Sequence, residues 1–204
     1  LRAADVSGHD AHSRRLAELY GAYDEQCQRE GVVDFAELLL RAYELLQRNQ
    51  PLRQHYQQRF RHILIDEFQD TNDLQYRWLT LLAGGGASLF AVGDEDQSIY
   101  AFRGANVGNM AAFERDYAGP QLIRLEQNYR SHAHILDSAN HLIRQNAHRL
   151  GKDLWTDAGE GEPVRIFAAF SDRDEAQWLL EEIRALVADG MSRSEIAILY
   201  RSNA

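Results

Sequence analysis

The first part of the chain has the hydrophobic periodicity of amphipathic helices. Residues 14–30 carry apolar side chains at helical spacing, and Gly31 follows as a helix-ending residue. Asp34 is placed to cap a second helix over residues 34–47, in which Phe35 begins a single apolar stripe. We expect both helices to serve as scaffold.

Short apolar runs alternate with helical patterns in the rest of the chain. The runs that predict strands are residues 62–65, 88–92, 121–125, 164–170 and 196–200. The segments that predict helices are residues 73–82, 107–117, 132–146 with Ser131 as its cap, and 173–188. Residues 192–195 predict a capping box or tight turn, and the glycine-rich, acidic residues 156–163 predict a loop. The alternation predicts α/β architecture built on a parallel sheet.

Acidic residues follow the first two predicted strands. Asp66 and Glu67 come directly after residues 62–65, a branched-aliphatic run that predicts a central strand covered on both faces. In open α/β sheets, ligands bind outside the carboxyl ends of the strands. One acid there can help to hold Mg2+ while its neighbour activates a water. The alternative is that the pair caps the following helix, and residues 66–67 alone favour neither interpretation.

Aromatic and basic residues are interleaved after the second predicted strand. Gln97 lies where its amide can sense a terminal phosphate, and Tyr100, Phe102 and Arg103 follow. This combination can stack on and neutralise single-stranded nucleic acid. The alternative is that both aromatic residues belong to the core and the arginine is solvated.

Composition narrows the class of protein. The 204 residues are 45% hydrophobic, enough for one sizeable core or two small ones. The net charge of −9 excludes a uniformly basic surface, although a local basic groove remains compatible with it. Cys27 is the single cysteine, which excludes a disulfide framework and a cysteine-rich metal site. We expect a cytoplasmic protein without membrane segments, and a first residue other than Met leads us to expect a piece of a longer chain.

The sequence contains no phosphate-cradling P-loop of the form G-x-x-x-x-G-K-[ST]. Lys152 is the only lysine; it follows Gly151, but Asp153 comes next and Asn146 occupies the position of the first glycine. Glycines 84–86 precede no lysine and predict a flexible turn.

Three blocks together carry a resemblance to a known family. Residues 66–70, 93–104 and 125–131 resemble helicase motifs II, III and IV of the UvrD-type superfamily 1 DNA helicases. The flanking residues 33–40, 150–156 and 197–203 are also similar to stretches of that family. The resemblance extends in order from about Leu16 to the last residue.

The resemblance implies a RecA-like P-loop NTPase fold, a parallel sheet with flanking helices and an α-helical N-terminal part. Residues 1–32 would be the end of an inserted helical subdomain. Residues 33–124 would be the second half of the first RecA-like motor domain, and residues 125–204 the beginning of the second. The P-loop strand is absent, so the sheet is expected to be incomplete, with an unpaired edge beside residues 62–65 through which chains self-associate.

Roles in ATP hydrolysis follow from the resemblance alone. Asp66 would help to bind Mg2+, and Glu67 would activate the hydrolytic water. Gln97 would couple the γ-phosphate to the DNA groove. Arg130 would act as an arginine finger, and Tyr129 would stack on the adenine base.

Roles in DNA binding follow in the same way. Tyr100, Phe102 and Arg103 would line the path of single-stranded DNA, and Arg201 and Asn203 would touch the strand from the second motor domain. Phe102 replaces the tryptophan common at that place in the family. A smaller aromatic ring still stacks, so weaker base contact is expected.

The family implies an ATP-dependent helicase that moves 3′ to 5′ on single-stranded DNA and separates strands at duplex junctions. DNA repair, with repair proteins as partners, is the process that the resemblance suggests. Because the P-loop is absent, the isolated chain is expected to be inactive or weakly active.

Two other functions compete with this expectation. A Mg2+-dependent nuclease could use Asp66, Glu67, Asp94 and Asp96, but such sites usually include a nearby lysine. We expect Asp70, Asp94 and Asp96 to support the site or cap loops instead of binding metal. A non-catalytic module that binds single-stranded DNA or a protein partner competes more strongly, because the stacking residues are present while the P-loop is not.

Overall fold

The computed structural model describes residues 10–117, 121–146, 149 and 151–201. The chain forms two compact units. Unit 1 contains residues 1–124 and 146–151, and unit 2 contains residues 125–145 and 152–204.

Three helices begin unit 1. Helix α1 spans Ala11–Glu30 and ends at Gly31, whose φ of 67° lies in the left-handed region, as the sequence predicts. Helix α2 spans Phe35–Arg48 and is capped by Asp34, which confirms the predicted cap. Helix α3 spans Gln50–Arg59 and was not predicted, because it has few apolar positions. Its signal in the sequence is local: Asn49 caps it and proline occupies its first turn.

The sheet of unit 1 has two parallel strands. Strand β1 spans His62–Ile65 and strand β2 spans Ser88–Ala91, close to the predicted ranges. His62 lies opposite Ser88 and Ile65 opposite Ala91. Helix α4, Asp73–Ala83, makes the crossover connection that parallel strands require.

One face of this sheet packs on the core and the other does not. The inward side chains Ile63, Ile65 and Ala91 contact a cluster of Phe68, Tyr76 and Leu79. On the opposite face, Leu64 is 76% exposed and its register partner Phe90 is 58% exposed. The expectation of a strand covered on both faces is therefore wrong for the described residues.

Helix α5, Gly108–Asp116, completes the core of unit 1. The ring of Phe113 meets that of Phe68 edge to face, with centroids 5.3 Å apart. The Tyr76 hydroxyl donates a hydrogen bond to Oδ2 of Asp116 at 2.9 Å, which joins α4 to α5. Burial and the nearby Asp116 carboxylate raise the pKa of Tyr76, so the hydroxyl remains a donor at neutral pH.

Unit 2 contains helices α6, Ala133–Ile143, and α7, Asp172–Ala188. His132, not the predicted Ser131, occupies the cap position of α6. The N–H of Ser131 is instead bound by the side chain of Asn128. The predicted capping box is confirmed, with Ser192 and Glu195 exchanging side-chain hydrogen bonds to backbone.

The other predicted strands are wrong for the residues that the structure describes. Residues 121–125, 164–170 and 196–200 form no ladder, and the strand-like pairing in unit 2 is a bridge between Gln127 and Trp155. Apolar side chains of these runs are exposed, including Ile166 and Leu199, each at 94%. An apolar run becomes a strand only when a neighbouring backbone pairs with it, and pattern alone does not supply the neighbour. Within the described part of the chain, no helix is both long and apolar enough to cross a membrane.

Candidate active site and nucleic-acid surface

The carboxyl end of β1 holds two exposed acids in an unusual backbone turn. Glu67 has φ 49° and ψ 44°, and it is the only non-glycine residue with positive φ in the described part of the chain. Oδ1 of Asp66 accepts the backbone N–H of Glu67 at 3.0 Å. Helix α4 is capped by Asn72 in a capping box with Gln75, so the acids do not perform that task. A non-glycine residue in this conformation is strained, and such residues concentrate at functional sites.

Gln69 connects the first acid-bearing turn to the second. Its side chain is buried, with 1% of the residue exposed. Its Nε2 donates to Oε2 of Glu67 at 2.7 Å, and its Oε1 accepts the backbone N–H of Asp94 at 3.0 Å. Sequence reasoning gave Gln69 no role of its own. A polar amide directly after an apolar Phe68 was the available signal, but its two partners are known only from the structure.

Gly93 leaves the space that Gln69 occupies. A Cβ added at Gly93 would lie 2.9 Å from Oε1 of Gln69 and 3.2 Å from its backbone nitrogen. Those separations are shorter than ordinary van der Waals contact, so the glycine before Asp94 is required by the buried amide.

The turn after β2 positions Gln97. Oδ1 of Asp94 accepts the N–H of Asp96 at 3.0 Å, and Oδ2 accepts Nε2 of Gln97 at 2.7 Å. Asp94 thus caps the short 3-10 turn Glu95–Gln97, as the sequence predicts. Through Asp94 and Gln69, the structure brings Gln97 and Glu67 into one hydrogen-bonded network.

The acids at this edge fit a Mg2+ ion bound through few protein ligands. No group of three or more His, Cys, Asp or Glu side chains that could enclose a metal is present among the described residues. Mg2+ commonly uses one or two carboxylates and completes its shell with waters and phosphate oxygens. Asp66 supplies an exposed carboxylate, and within the described residues Oδ1 of Asp70 is buried without a hydrogen-bond partner. An orphaned carboxylate oxygen can accept from a metal-bound water.

Tyr100, Phe102 and Arg103 lie together and form an aromatic and cationic surface, which we call the aromatic surface. Phe102 and Arg103 are exposed, and Tyr100 is half-buried. The two ring centroids are 6.0 Å apart. The Arg103 guanidinium carbon lies 5.1 Å from the Tyr100 centroid and 5.4 Å from the Phe102 centroid. Phe102 is 78% exposed, so it is not a core residue. A guanidinium and an exposed ring together can stack on bases and neutralise phosphate.

The remaining candidates belong to unit 2. Tyr129 is 84% exposed, and its hydroxyl donates to Oε1 of Gln127 at 2.8 Å. Arg130 is exposed, with its backbone N–H bound by Oδ1 of Asn128 at 2.9 Å. Arg201 is exposed, and Asn203 lies outside the described residues.

Comparison with known proteins finds similarity to helicases along nearly the whole chain. Residues 2–118 match the UvrD/REP helicase N-terminal domain, and residues 123–204 match the UvrD-like helicase C-terminal domain. The chain is 49% identical over 204 residues to DNA helicase II of Haemophilus influenzae, covering 100% of this chain and 28% of that protein. It is 53% identical over 187 residues to DNA helicase II of Escherichia coli, covering 92% of this chain and 26% of that protein.

A further relative is the ATP-dependent DNA helicase PcrA of Staphylococcus epidermidis, 41% identical over 201 residues, with 98% of this chain and 28% of that protein covered. The chain spans roughly a quarter of the length of these relatives. Both family models match in the order of the chain, and the first alone covers more than half of it. The chain therefore belongs to the UvrD/REP helicase family.

Proposed function

We propose that this chain is the central segment of an ATP-dependent DNA helicase that couples ATP hydrolysis to 3′ to 5′ movement on single-stranded DNA. One observation carries the proposal: Gln97 and Glu67 share a hydrogen-bonded network at the carboxyl ends of two parallel strands. Open α/β sheets bind ligands outside the carboxyl ends of their strands. Hydrolysis of a bound nucleotide also requires a side chain that orients or activates the attacking water, and in this proposal Glu67 is that side chain. Family membership supports the same activity.

In this proposal the chain contributes to two RecA-like motor domains. Residues 1–32 end an inserted helical subdomain, residues 33–124 belong to the first motor domain, and residues 125–204 begin the second. The parallel pair β1 and β2 is part of the first motor sheet.

In the proposed hydrolysis reaction, each side chain of the site has a separate role. Glu67 accepts a proton from the water whose oxygen attacks the γ-phosphorus, and the bond from that phosphorus to the bridging oxygen breaks to give ADP and phosphate. Asp66 would hold Mg2+, which would supply positive charge to neutralise the phosphates. Gln97 senses the γ-phosphate, and Arg130 stabilises charge in the transition state. The Gln69 amide donates to Oε2 of Glu67, and this hydrogen bond restricts the carboxylate that is proposed to accept the proton.

In the proposal, aromatic and polar side chains make the contacts to the ATP base and to DNA. Tyr129 stacks on the adenine of ATP. The aromatic surface lines the path of single-stranded DNA, and Arg201 and Asn203 contact the strand from the second motor domain. Unwinding at duplex junctions and action in DNA repair with protein partners complete the proposal.

The isolated chain is a different case from the intact helicase. Its sequence has no P-loop, so phosphate binding lacks its main contributor, and the 204 residues alone hydrolyse ATP weakly or not at all. Among the described residues, β1 pairs with β2 alone and Leu64 and Phe90 are exposed, and this edge and face promote self-association of the isolated chain.

The test is steady-state ATPase activity of the intact helicase with and without single-stranded DNA. Wild-type protein is expected to be stimulated by DNA, and Glu67→Gln to lower kcat by at least about 100-fold. Strand separation should require a 3′ single-stranded tail, with a 5′-tailed duplex as the matched control. Full ATPase activity in Glu67→Gln would contradict the catalytic assignment, and preference for the 5′ tail would contradict the polarity.

A non-catalytic DNA-binding module is the second candidate, and the aromatic surface with its exposed Phe102 and Arg103 favours it for the isolated chain. Fluorescence anisotropy with a labelled oligonucleotide separates the two functions. If the isolated chain binds the oligonucleotide independently of ATP, the binding module is supported. If only the intact helicase binds it, the binding module is rejected.

A further inference from the structure

Arg149 binds the residue that precedes Gln97 through two hydrogen bonds. Nε of Arg149 donates to Oδ1 of Asp96 at 2.8 Å, and Nη2 donates to Oδ2 at 2.6 Å. The two side chains are only 12% and 11% exposed. One planar guanidinium therefore engages both oxygens of one carboxylate, a geometry that lysine cannot reproduce.

Asp96 is connected to Glu67 by successive hydrogen bonds. The backbone N–H of Asp96 donates to the Asp94 carboxylate, and the backbone N–H of Asp94 donates to the Gln69 side chain. The Gln69 amide then donates to Glu67, and Gln97 joins the network at Asp94. The ion pair thus lies at one end of a network that reaches both side chains proposed for hydrolysis.

Arg149 comes from a distant part of the sequence. It lies 53 residues after Asp96, in residues 146–151, which belong to unit 1 although the chain on both sides belongs to unit 2. Removing one partner of a nearly buried pair leaves the other charge unpaired where little water can replace it. An exposed pair, by contrast, contributes little. The contact is therefore suited to fixing the loop in one position.

We propose that Arg149 is a positioning residue for ATP hydrolysis, acting through Asp96 on the loop that carries Gln97. The inference rests on the proposed function. In this role Arg149 touches neither nucleotide nor metal; it restricts the loop so that Gln97 and Glu67 keep their relative placement. Misplacing a reacting group by about 1 Å can lower a rate by about 100-fold, so a small loop displacement is enough.

The experiment compares Arg149→Ala, Arg149→Lys and Arg144→Ala in the intact helicase. We expect Arg149→Ala to lower kcat for DNA-stimulated hydrolysis by about 10-fold to 100-fold while KM for ATP stays near the wild-type value. Arg149→Lys should give an intermediate kcat. Arg144 is the matched control, because its ion pair with Asp153 is solvent-exposed on both sides, at 56% and 62%. Its replacement should leave kcat unchanged.

Amide hydrogen exchange of residues 94–98 in the nucleotide-free protein gives a second readout. Exchange should accelerate in Arg149→Ala and not in Arg144→Ala. Unchanged kcat, or unchanged exchange, in a folded Arg149→Ala protein would overturn the inference. If Arg149→Ala does not fold, Arg149→Lys decides, and a wild-type kcat there overturns it. Absence of DNA-stimulated hydrolysis in the wild type would instead reject the proposed function. The exchange rates of residues 94–98 would still show whether Arg149 holds the loop in place.

Discussion

The positions of the proposed hydrolytic residues depend on the side-chain amide of Gln69 and on the absence of a Cβ atom at Gly93. The buried amide of Gln69 has one partner on each side, the carboxylate of Glu67 and the backbone of Asp94. Gly93 is the residue whose missing side chain makes that arrangement fit. A change that leaves every charged group in place should therefore still impair the site.

Gly93→Ala tests this directly. The added Cβ would meet Gln69 and Phe68 at 2.9 to 3.2 Å, so the amide must move. We expect the free energy of unfolding to fall by about 1–3 kcal/mol and kcat of the intact helicase to decrease. Gly85→Ala is the matched control, since nothing lies within 4 Å of its added Cβ. Urea unfolding and ATPase assays measure both effects, and equal behaviour of the two variants would refute the steric argument.

Phe102 and Phe68 provide a second residue-scale prediction. Phe102 is 78% exposed, so Phe102→Ala should weaken oligonucleotide binding of the intact helicase by about 1–3 kcal/mol while stability changes by less than about 0.5 kcal/mol. Phe68 is 2% exposed in the core, so Phe68→Ala should cost about 3–5 kcal/mol of stability. Fluorescence anisotropy and urea unfolding measure the two effects. A loss of stability in Phe102→Ala comparable to that of Phe68→Ala would show that Phe102 is a packing residue.

The sequence suggested Asp66, Glu67 and Gln97 as candidates but did not reveal the groups that hold them. Acids after an apolar run are visible as a pattern. The partner of a buried amide is not, because Gln69 and Asp94 lie 25 positions apart. Arg149 was missed for the same reason: its partner is separated from it by 53 positions and no local spacing connects them.

The helix ends and strands that the sequence predicted correctly are those that depend on residues close together in the sequence. The caps at Asp34 and Gly31 and the four-residue strand β1 were found because each depends on neighbouring residues. Helix α3 was missed because its signals are a cap and a proline without an apolar stripe. Residues 121–125, 164–170 and 196–200 were assigned wrongly because strand formation depends on a partner elsewhere in the chain.

The cap of α2 should make stability depend on pH. The Glu37 backbone N–H and the Tyr23 hydroxyl both donate to the Asp34 carboxylate, which lowers the pKa of Asp34. A carboxyl with a lower pKa in the folded state stabilises the protein above its unfolded pKa. That contribution is lost in the acidic range, as pH falls below the unfolded pKa and through the lower folded pKa.

Asp34→Asn is the variant that isolates this contribution. Its amide oxygen still caps the helix but does not titrate over this range. Thermal melting as a function of pH should show a smaller decrease on acidification in Asp34→Asn than in the wild type. Parallel pH profiles for the two proteins would contradict the assignment of the pH dependence to this cap.

At the scale of the whole molecule, one apolar face of the sheet is exposed among the described residues. In the described residues β1 pairs with β2 alone, and Leu64 and Phe90 project from the same exposed face. The groove beside β1, about 710 Å³ in volume, is lined mainly by apolar and aromatic side chains. Apolar area of this kind, next to an unpaired strand edge, favours association of identical chains.

Leu64→Lys should therefore reduce self-association of the isolated chain. Leu142→Lys is the matched control. Leu142 is also largely exposed, at 73%, but it belongs to α6 in unit 2, whereas the sheet belongs to unit 1. Sedimentation velocity over a range of concentrations should show a shift toward monomer for Leu64→Lys alone. A wild-type chain that stays monomeric throughout would remove the basis of the proposal.

The ion pair of Asp96 and Arg149 also has a consequence for biosynthesis. Because the partners are 53 positions apart, a ribosome adding about 5 to 20 residues per second makes Arg149 roughly 3 to 10 seconds after Asp96. During that interval the nascent loop carries an acid without its final counter-charge. The turn that presents Gln97 is therefore completed only after the chain has left unit 1, built the first part of unit 2 and returned. A protein cut at residue 124 would keep every acid of the site and still lack the arginine that finishes it.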